Sequence, residues 1–335
     1  MKTIGRCLTM LALVVAPCAS AQAVNYSGLY VFGDSLVDAG NAFLATGGAE
    51  ASPINGYYQG RFSNGYNFAD YLSLAISGTP TQPALIGGTN VAVGGADAET
   101  KPGEVSPSFI SQIGLYSGTL GNGPIASDAL VLVTFGGNDV RDTIATGGAI
   151  DFTAAANDFA TGLNLLYALG ARNFVITGSP DIGLLPASLA ATGGNAVRLG
   201  ELTDRSMQIS DLFEAKTAAF DMLAGVNASF FDLFGYEHDL LADPTAFGLP
   251  AGLDTTTPCQ IPLGGSPQLA NCANSLYFDG IHPTTIVHQA IAGAILAQLD
   301  APAVPEPAAW LTMILGFGGI GVALRRQRLA MPIAA

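Results

Sequence analysis

Three side chains in this sequence have the types and the context needed for nucleophilic acyl transfer. Ser35 follows a short apolar run that ends at Gly33, so a tight turn there would present its hydroxyl group for attack. Asp279 and His282 are three residues apart. If a turn brings them to one side, the carboxylate orients the imidazole, and the other ring nitrogen can accept the serine proton. Ser35, His282 and Asp279 are therefore the candidate catalytic group.

Each half of this group has a structural alternative. Ser35 could cap the N-terminus of a following helix, a position in which serine is common. The chain also departs from the common G-x-S-x-G nucleophile turn, because Val37 occupies the place of the second glycine. Asp279 and His282 could equally form a capping pair at a surface turn.

Acyl transfer also needs hydrogen-bond donors aimed at the oxyanion that develops on the substrate. The backbone N–H of Ser35 is one candidate, and the side-chain amide of Asn138, which follows two glycines, is another. A further candidate is a backbone N–H of Gly94 or Gly95, and the residues alone leave open which of the two supplies it. The alternative for each segment is an ordinary turn at the end of a strand.

Apolar runs that alternate with helical patterns indicate the elements that must position these groups. They predict a parallel α/β sheet covered on both faces, in which ligands bind beyond the carboxyl ends of the strands. The predicted strands cover residues 28–32, 89–93, 129–135, 174–177 and 229–233, and the predicted helices cover 67–76, 154–169, 196–223 and 284–299. Polar, glycine-rich stretches at 45–65 and 243–275 are expected to be long loops that set specificity.

The composition describes a folded, acidic chain. Of its 335 residues, 49% are hydrophobic and 11% are charged, and the formal net charge is −14. A disordered chain needs the opposite balance of apolar and charged residues. Binding to nucleic acid needs clustered lysine and arginine, so this class of partner is excluded.

The remaining histidines are isolated from one another in the sequence. His238 lies in a charged stretch that is predicted to be a loop, and His288 is predicted to lie on a helix surface. Because a zinc site needs several ligands in one place, no metal site is expected.

Residues 1–23 have the order of a secretory signal peptide: early basic residues, an apolar run and small residues at the end. The alternative is a membrane anchor, but the apolar run is well short of the ~20 residues that a spanning helix needs. Removal of this segment leaves Cys259 and Cys272. In an exported chain these two cysteines are expected to form a disulfide.

Residues 302–335 form a second terminal signal. Pro305–Pro307 precedes an uncharged stretch at 308–324, predicted to be a transmembrane segment, and the basic end Arg325–Arg328 would stay cytoplasmic. This tail resembles the PEP-CTERM sorting signal. The resemblance implies an exosortase-type processing enzyme, transient anchoring in the inner membrane, and then release to the cell surface or the extracellular space. The alternative is a plain C-terminal anchor.

Between these ends, four segments in order resemble the GDSL lipase/esterase family of SGNH hydrolases: Gly33–Asn41, Gly88–Ala96, Gly136–Asp139 and Asp279–His282. Similar segments at 170–175 and 180–186 extend the likeness to roughly residues 28–299. The resemblance implies that residues 24–301 form a three-layer α/β/α sandwich. Its flavodoxin-like parallel sheet would have five strands, and no metal or organic cofactor is implied.

The resemblance also implies roles for the candidate residues. Ser35, His282 and Asp279 would form the catalytic triad, and the N–H groups of Ser35 and Gly95 would join the Asn138 amide in an oxyanion hole. Gly95 is favoured over Gly94 because relatives share an N-x-A-x-x-G spacing.

The expected function is that of a secreted serine esterase or lipase that hydrolyses carboxyl esters through an acyl-enzyme intermediate. Its substrate would be a small-molecule or lipid ester. One alternative is a carbohydrate O-acetylesterase that acts on exopolysaccharide. Another is a non-catalytic surface or matrix protein that keeps the fold.

Overall fold

The computed structural model describes residues 26–261 and 272–300 of the 335-residue chain. Within these ranges the sheet has four parallel strands in sequential order: β1 Leu29–Gly33, β2 Leu130–Thr134, β3 Asn173–Thr177 and β4 Asn227–Phe231. Neighbouring strands pair residue for residue, so the four carboxyl ends form one level edge. The expected parallel α/β class is confirmed.

Helices connect and cover the strands. The α-helices are α1 Asn41–Ala45, α2 Phe68–Ser77, α3 Phe109–Gly114, α4 Gly137–Arg141, α5 Thr153–Ala168, α6 Pro186–Thr192, α7 Ala196–Asp221, α8 Leu233–Ala242 and α9 Thr285–Asp300. Short 3-10 turns cover Pro53–Asn55, Ala84–Ile86, Ile182–Leu184 and Pro244–Phe247, and a π-helical turn, Leu115–Thr119, continues α3. The four predicted helices match the observed α2, α5, α7 and α9, with both ends of each within about two residues.

Helices pack on both faces of the sheet, as the apolar strands require. On one face, Phe109 of α3 contacts Phe32 of β1, and Phe159 of α5 stacks on Phe213 of α7 with ring centroids 4.0 Å apart. The other face is covered by α2 and α9, which meet where Phe68 packs against His288. Every residue of β2 is buried between these two layers.

The predicted count of five strands is wrong for the described part of the chain, because residues 89–93 do not form a strand of their own. This segment does run beside β1: Val91 N–H donates to the Val31 carbonyl (2.8 Å), and Val93 N–H donates to the Gly33 carbonyl (3.0 Å). The return hydrogen bond is missing, because the Gly33 N–H donates to the side chain of Gln112 (2.9 Å) instead of to the Val91 carbonyl. Regular parallel pairing therefore stops there, and only isolated bridges remain.

The predicted terminal segments lie outside the described residues. These are the signal peptide at 1–23 and the tail at 302–335, with its transmembrane stretch at 308–324 and its basic end. Among residues 26–261 and 272–300, no helix has both the length and the apolar character needed to cross a membrane.

A buried ion pair joins α2 to the loop before it. Arg61 is 4% exposed and its guanidinium forms two hydrogen bonds with the carboxylate of Asp70, which is fully buried. Asp70 also accepts hydrogen bonds from the Thr81 backbone (3.1 Å) and from the N–H of Asn67 (3.0 Å), which caps α2. The pair therefore fixes the loop around residues 57–66 to the body of the domain.

We expect Arg61→Met to lower the free energy of unfolding by roughly 3–5 kcal/mol, because it leaves the Asp70 carboxylate buried without a counter-ion. Urea unfolding monitored by circular dichroism measures the change. Lys101→Met is the control, since Lys101 also pairs with aspartates (2.7 and 2.8 Å) but is 35% exposed. In this control variant the free energy of unfolding should fall by about 1 kcal/mol or less. Equal losses in the two variants would contradict the prediction.

Candidate active site

Ser35 lies in a tight turn directly after β1. The backbone of the strand end is clamped by Gln112, whose side chain accepts from the Gly33 N–H (2.9 Å) and donates to the Gly33 carbonyl (2.7 Å). The turn is then closed by Asp34, whose carboxylate accepts from the Leu36 N–H (2.9 Å). Burial raises the pKa of Asp34 to about 6. The turn leaves the Ser35 side chain directed at a histidine rather than at a helix N-terminus.

Ser35, His282 and Asp279 are connected by two short hydrogen bonds. His282 Nε2 is 2.8 Å from Ser35 Oγ, and His282 Nδ1 is 2.7 Å from Asp279 Oδ2. The three residues are 7%, 5% and 7% exposed respectively. The other carboxylate oxygen, Oδ1, accepts from the backbone N–H groups of Ile281 (2.8 Å) and His282 (2.7 Å). This turn brings the acid and the histidine to one side, as a spacing of three residues permits.

The electrostatics of Asp279 suit a permanent anion. Burial alone would raise its pKa, but the charge interaction with His282 and the hydrogen bonds from His282 and Ile281 lower the pKa to about 2. The carboxylate is therefore charged at neutral pH and stabilises positive charge on the imidazole.

Two backbone N–H groups near Ser35 have no acceptor among residues 26–261 and 272–300: those of Ser35 itself and of Gly95. The N–H of Gly94 is already engaged, because it donates to Asp38 Oδ2 (2.9 Å). Gly95 has a φ of 81°, a left-handed conformation that favours glycine. The geometry therefore favours Gly95 over Gly94 as a donor to a ligand.

Asn138 lies at the start of α4, after Gly136, whose φ is 105°. Its side-chain nitrogen donates to the Ala96 carbonyl (3.0 Å), and its side-chain oxygen accepts from Arg141 Nη1 (2.8 Å). The neighbouring Asp139 accepts from the Ala98 N–H (2.9 Å), which holds the Ala96 loop against α4. Burial, followed by the nearby Asp97 charge, raises the pKa of Asp139 to about 7.

Ser35, Gly95 and His282 open onto a cleft of about 790 Å³. One part of its wall is apolar and comes from loops and from the start of α1: Ala42, Ala84, Leu85, Val91, Val93 and Val105. Polar groups on the wall include Thr46, Glu50, Ser106, Arg141 and Gln260. Ser35 thus lies in a recess wide enough for a small organic ligand.

Tyr57 is a site residue that the sequence reasoning missed. Its hydroxyl donates to Asp279 Oδ2 (2.8 Å), the same oxygen that contacts His282. Nearby, the ring of Phe62 lies 5.0 Å from the His282 ring. Both residues belong to the 45–65 stretch, in which neither periodicity nor motif distinguishes one aromatic residue from another. Arg141 was also missed, although its spacing of three from Asn138 on a helix was a usable signal.

A disulfide joins Cys259 to Cys272, two residues that lie close to the site. Cys272 and Phe278 form a small buried apolar cluster, against which Tyr57 and Cys259 pack. The backbone of Cys259 donates to the Tyr277 carbonyl (3.1 Å). The cluster therefore supports both the segment that leads to Asp279 and the tyrosine that contacts it.

The placements expected for the other two histidines are wrong. His288 is buried, 1% exposed, because it faces Phe68 of α2, and this burial lowers its pKa to about 3. His238 lies in helix α8 rather than in a loop, and its Nε2 is 3.0 Å from Asp181 Oδ2. Neither ring contacts Ser35, Asp279 or the hydrogen-bond donors around them.

A parallel α/β sheet with a serine, a histidine and an aspartate in contact at its carboxyl edge is an arrangement found in hydrolytic enzymes. Residues 29–295 match the model of the GDSL-like lipase/acylhydrolase family. The chain therefore belongs to this family, and it is a GDSL-type ester hydrolase. Residues 303–328 match the PEP-CTERM protein-sorting motif, which indicates export through the exosortase system.

Relatives and solved structures are similar over most of the chain. GDSL esterase/lipase LTL1 of Arabidopsis thaliana is 28% identical over 333 residues, which cover 82% of this chain and 88% of that protein. GDSL esterase/lipase At5g37690 of the same plant is 26% identical, covering 89% and 97%. The structure of LAE5, an alpha/beta hydrolase from the metagenome of Lake Arreo, Spain, is 16% identical, covers 83% and 97%, and has a TM-score of 0.44. That of a carbohydrate acetylesterase family member from Sinorhizobium meliloti is 13% identical, covers 81% and 97%, and has a TM-score of 0.40.

We expect Tyr57→Phe to lower kcat for ester hydrolysis by roughly 3–10-fold, because it removes one hydrogen bond to a charged group while Asp279 keeps its other donors. Tyr58→Phe is the matched control, since the ring of Tyr58 packs against Tyr66 instead. Steady-state kinetics of both variants on one nitrophenyl ester measure the effect. Wild-type kcat in the Tyr57 variant would show that the hydroxyl does not contribute.

Proposed function

We propose that this enzyme is a secreted serine esterase in which Ser35 is the nucleophile, His282 the general base and Asp279 the residue that orients it. The observation that carries the proposal is the continuous path from Asp279 through His282 to Ser35, with distances of 2.7 and 2.8 Å. That path ends in a cleft beside uncommitted N–H donors. The reaction class is hydrolysis of carboxyl esters through an acyl-enzyme.

The first half of the reaction forms the acyl-enzyme. His282 Nδ1 donates to Asp279, which leaves Nε2 free to take the proton of Ser35 as Oγ attacks the ester carbonyl carbon. The carbonyl oxygen becomes an oxyanion, and the N–H groups of Ser35 and Gly95 stabilise it together with the Asn138 amide. His282 then returns its proton to the leaving alcohol.

In the second half, water enters in place of the alcohol. His282 removes a proton from this water, which attacks the acyl carbon, and the proton then returns to Ser35 Oγ as the carboxylic acid leaves. The Asp279 carboxylate remains charged in both halves, consistent with its low pKa.

The cleft supports an ester with an apolar acyl group as the first substrate class. Apolar side chains such as Leu85, Val91 and Val93 line the wall near Ser35. An O-acetylesterase acting on exopolysaccharide is the second candidate, because the sorting motif is that of an exported protein. A non-catalytic matrix protein is disfavoured, since it would have no need of a buried Ser35–His282–Asp279 path.

We propose that three regions of the chain determine its localisation: a signal peptide at 1–23, the hydrolase at 24–301 and a sorting tail at 302–335. The tail would hold the exported enzyme in the inner membrane through residues 308–324 until an exosortase-type enzyme cleaves near Pro305–Pro307. The product would then reach the cell surface or the extracellular space. The match of 303–328 to the sorting motif supports this order of events.

Ser35→Ala and His282→Ala should each lower kcat by roughly 10⁴-fold or more with folding intact, because members of a triad act as a unit. Asp279→Asn should lower kcat somewhat less than these two substitutions do. The assay is hydrolysis of nitrophenyl esters of increasing acyl length, a phospholipid and an acetylated sugar, and the best substrate also identifies the class. His238→Ala, a histidine outside the site, is the control. If purified Ser35→Ala hydrolysed esters at the wild-type rate, the assignment of Ser35 as the nucleophile would be refuted.

A separate prediction concerns the two ends of the mature protein. Protein isolated from its native host should lack residues 1–23, as expected for a signal peptide, and should end near Pro305–Pro307, within the stretch that matches the sorting motif. Intact mass of the inner-membrane and extracellular fractions measures both ends. Full-length protein in the inner membrane with an uncut tail would instead indicate a plain anchor.

A further inference from the structure

We propose that Arg141 is a positioning residue for the oxyanion hole: it fixes the side-chain amide of Asn138 so that one N–H stays available to the reacting oxygen. This inference rests on the proposed function, in which Asn138 contributes a donor. It concerns a residue that lines the cleft but belongs neither to the Ser35–His282–Asp279 group nor to its donors.

The first step is the hydrogen-bonding capacity of the amide. An asparagine side chain offers one acceptor oxygen and two N–H donors. Here the oxygen accepts from Arg141 Nη1 (2.8 Å), and the nitrogen donates to the Ala96 carbonyl (3.0 Å). Within the described residues the nitrogen has no second acceptor, so one donor remains for a ligand.

The second step is orientation. If the amide turned over by half a rotation, its oxygen would face the Ala96 carbonyl and its NH₂ group would face the Arg141 guanidinium. Both contacts would be repulsive, since a carbonyl accepts only and a guanidinium donates only. Arg141 and Ala96 therefore specify a single orientation, in which one N–H is bound to Ala96 and the other has a fixed direction. Preorganised donors of this kind lower the barrier because they need no rearrangement during the reaction.

The third step is charge. No carboxylate within 26–261 and 272–300 pairs with Arg141, although the chain is strongly acidic. The acids closest in sequence to Arg141 and Ala96, Asp142 and Asp97, are instead held by Lys101 (2.8 and 2.7 Å). Within these ranges the guanidinium has Asn138 as its hydrogen-bond partner, and its charge also acts on the buried Asp34 carboxylate, whose pKa it helps to lower. A charged donor on the amide oxygen polarises the amide and strengthens the hydrogen bond that its N–H can give.

The test is a double-mutant cycle between Arg141 and Asn138. Arg141→Met should lower kcat for the best ester by roughly 10–100-fold with KM changed less than about twofold, while Asn138→Ala should lower kcat by roughly 10²–10³-fold. In the Asn138→Ala background, Arg141→Met should lower kcat by a further factor of less than about two, because no amide is left to orient. Arg141→Lys should restore part of kcat, since an ammonium can still donate to the amide oxygen.

Several outcomes would overturn the inference. An effect of Arg141→Met confined to KM would make Arg141 a substrate-binding residue. An undiminished loss in the Asn138→Ala background would show that Arg141 acts independently of the amide. Thermal unfolding of each variant checks folding, and if Arg141→Met does not fold, Arg141→Gln and Arg141→Lys provide the same cycle.

Ser35→Ala separates this inference from the proposed function. Loss of hydrolysis in Ser35→Ala together with wild-type kinetics in the Arg141 variants would refute only the role of Arg141. Retained hydrolysis in Ser35→Ala would refute the assigned chemistry itself.

Discussion

The hydrogen bonds made by the Asp279 carboxylate determine the rest of the site. One oxygen accepts two backbone N–H groups from its own turn, and the other contacts both the His282 ring and the Tyr57 hydroxyl. A buried carboxylate is unfavourable unless donors surround it. These donors keep Asp279 charged, and its charge in turn holds the imidazole in line with Ser35. Because Tyr57 is 222 residues away in sequence, the same anion also ties an early loop to the end of the domain.

The sheet provides a second constraint. Parallel strands in register end at one edge, so Gly33 and Thr134 are neighbours in the structure although about a hundred residues separate them. The turns that follow β1 and β2 therefore bring Ser35 and Asn138 to the same region. The Gly94–Gly95 turn joins them because residues 89–93 run beside β1. No single segment forms the site, which explains why each motif is weak when it is read alone.

Much of this arrangement could be predicted from the sequence. Ser35 and Asn138 could be placed because each follows a strong apolar run, and His282 could be paired with Asp279 because they share one turn. The fifth strand was predicted wrongly because apolar content at 89–93 does not reveal that Gln112 accepts the Gly33 N–H that regular pairing with this segment would need. His288 was misplaced because a polar residue on a helix is expected to face solvent. Tyr57 could not be found at all, since its role depends on how a long loop folds back.

Around Ser35, some positions tolerate substitution and others do not. A methyl group on Gly33 would lie 2.5 Å from the Val37 side chain and 2.8 Å from the Thr134 carbonyl, so no larger residue fits there without displacing the sheet. Leu85, Val105 and Gln260, by contrast, reach the cleft from loops outside the sheet. Drift or selection can therefore reshape the recess one loop at a time while Ser35, His282 and Asp279 stay in place. Such a molecule is a favourable starting point for laboratory evolution toward new esters.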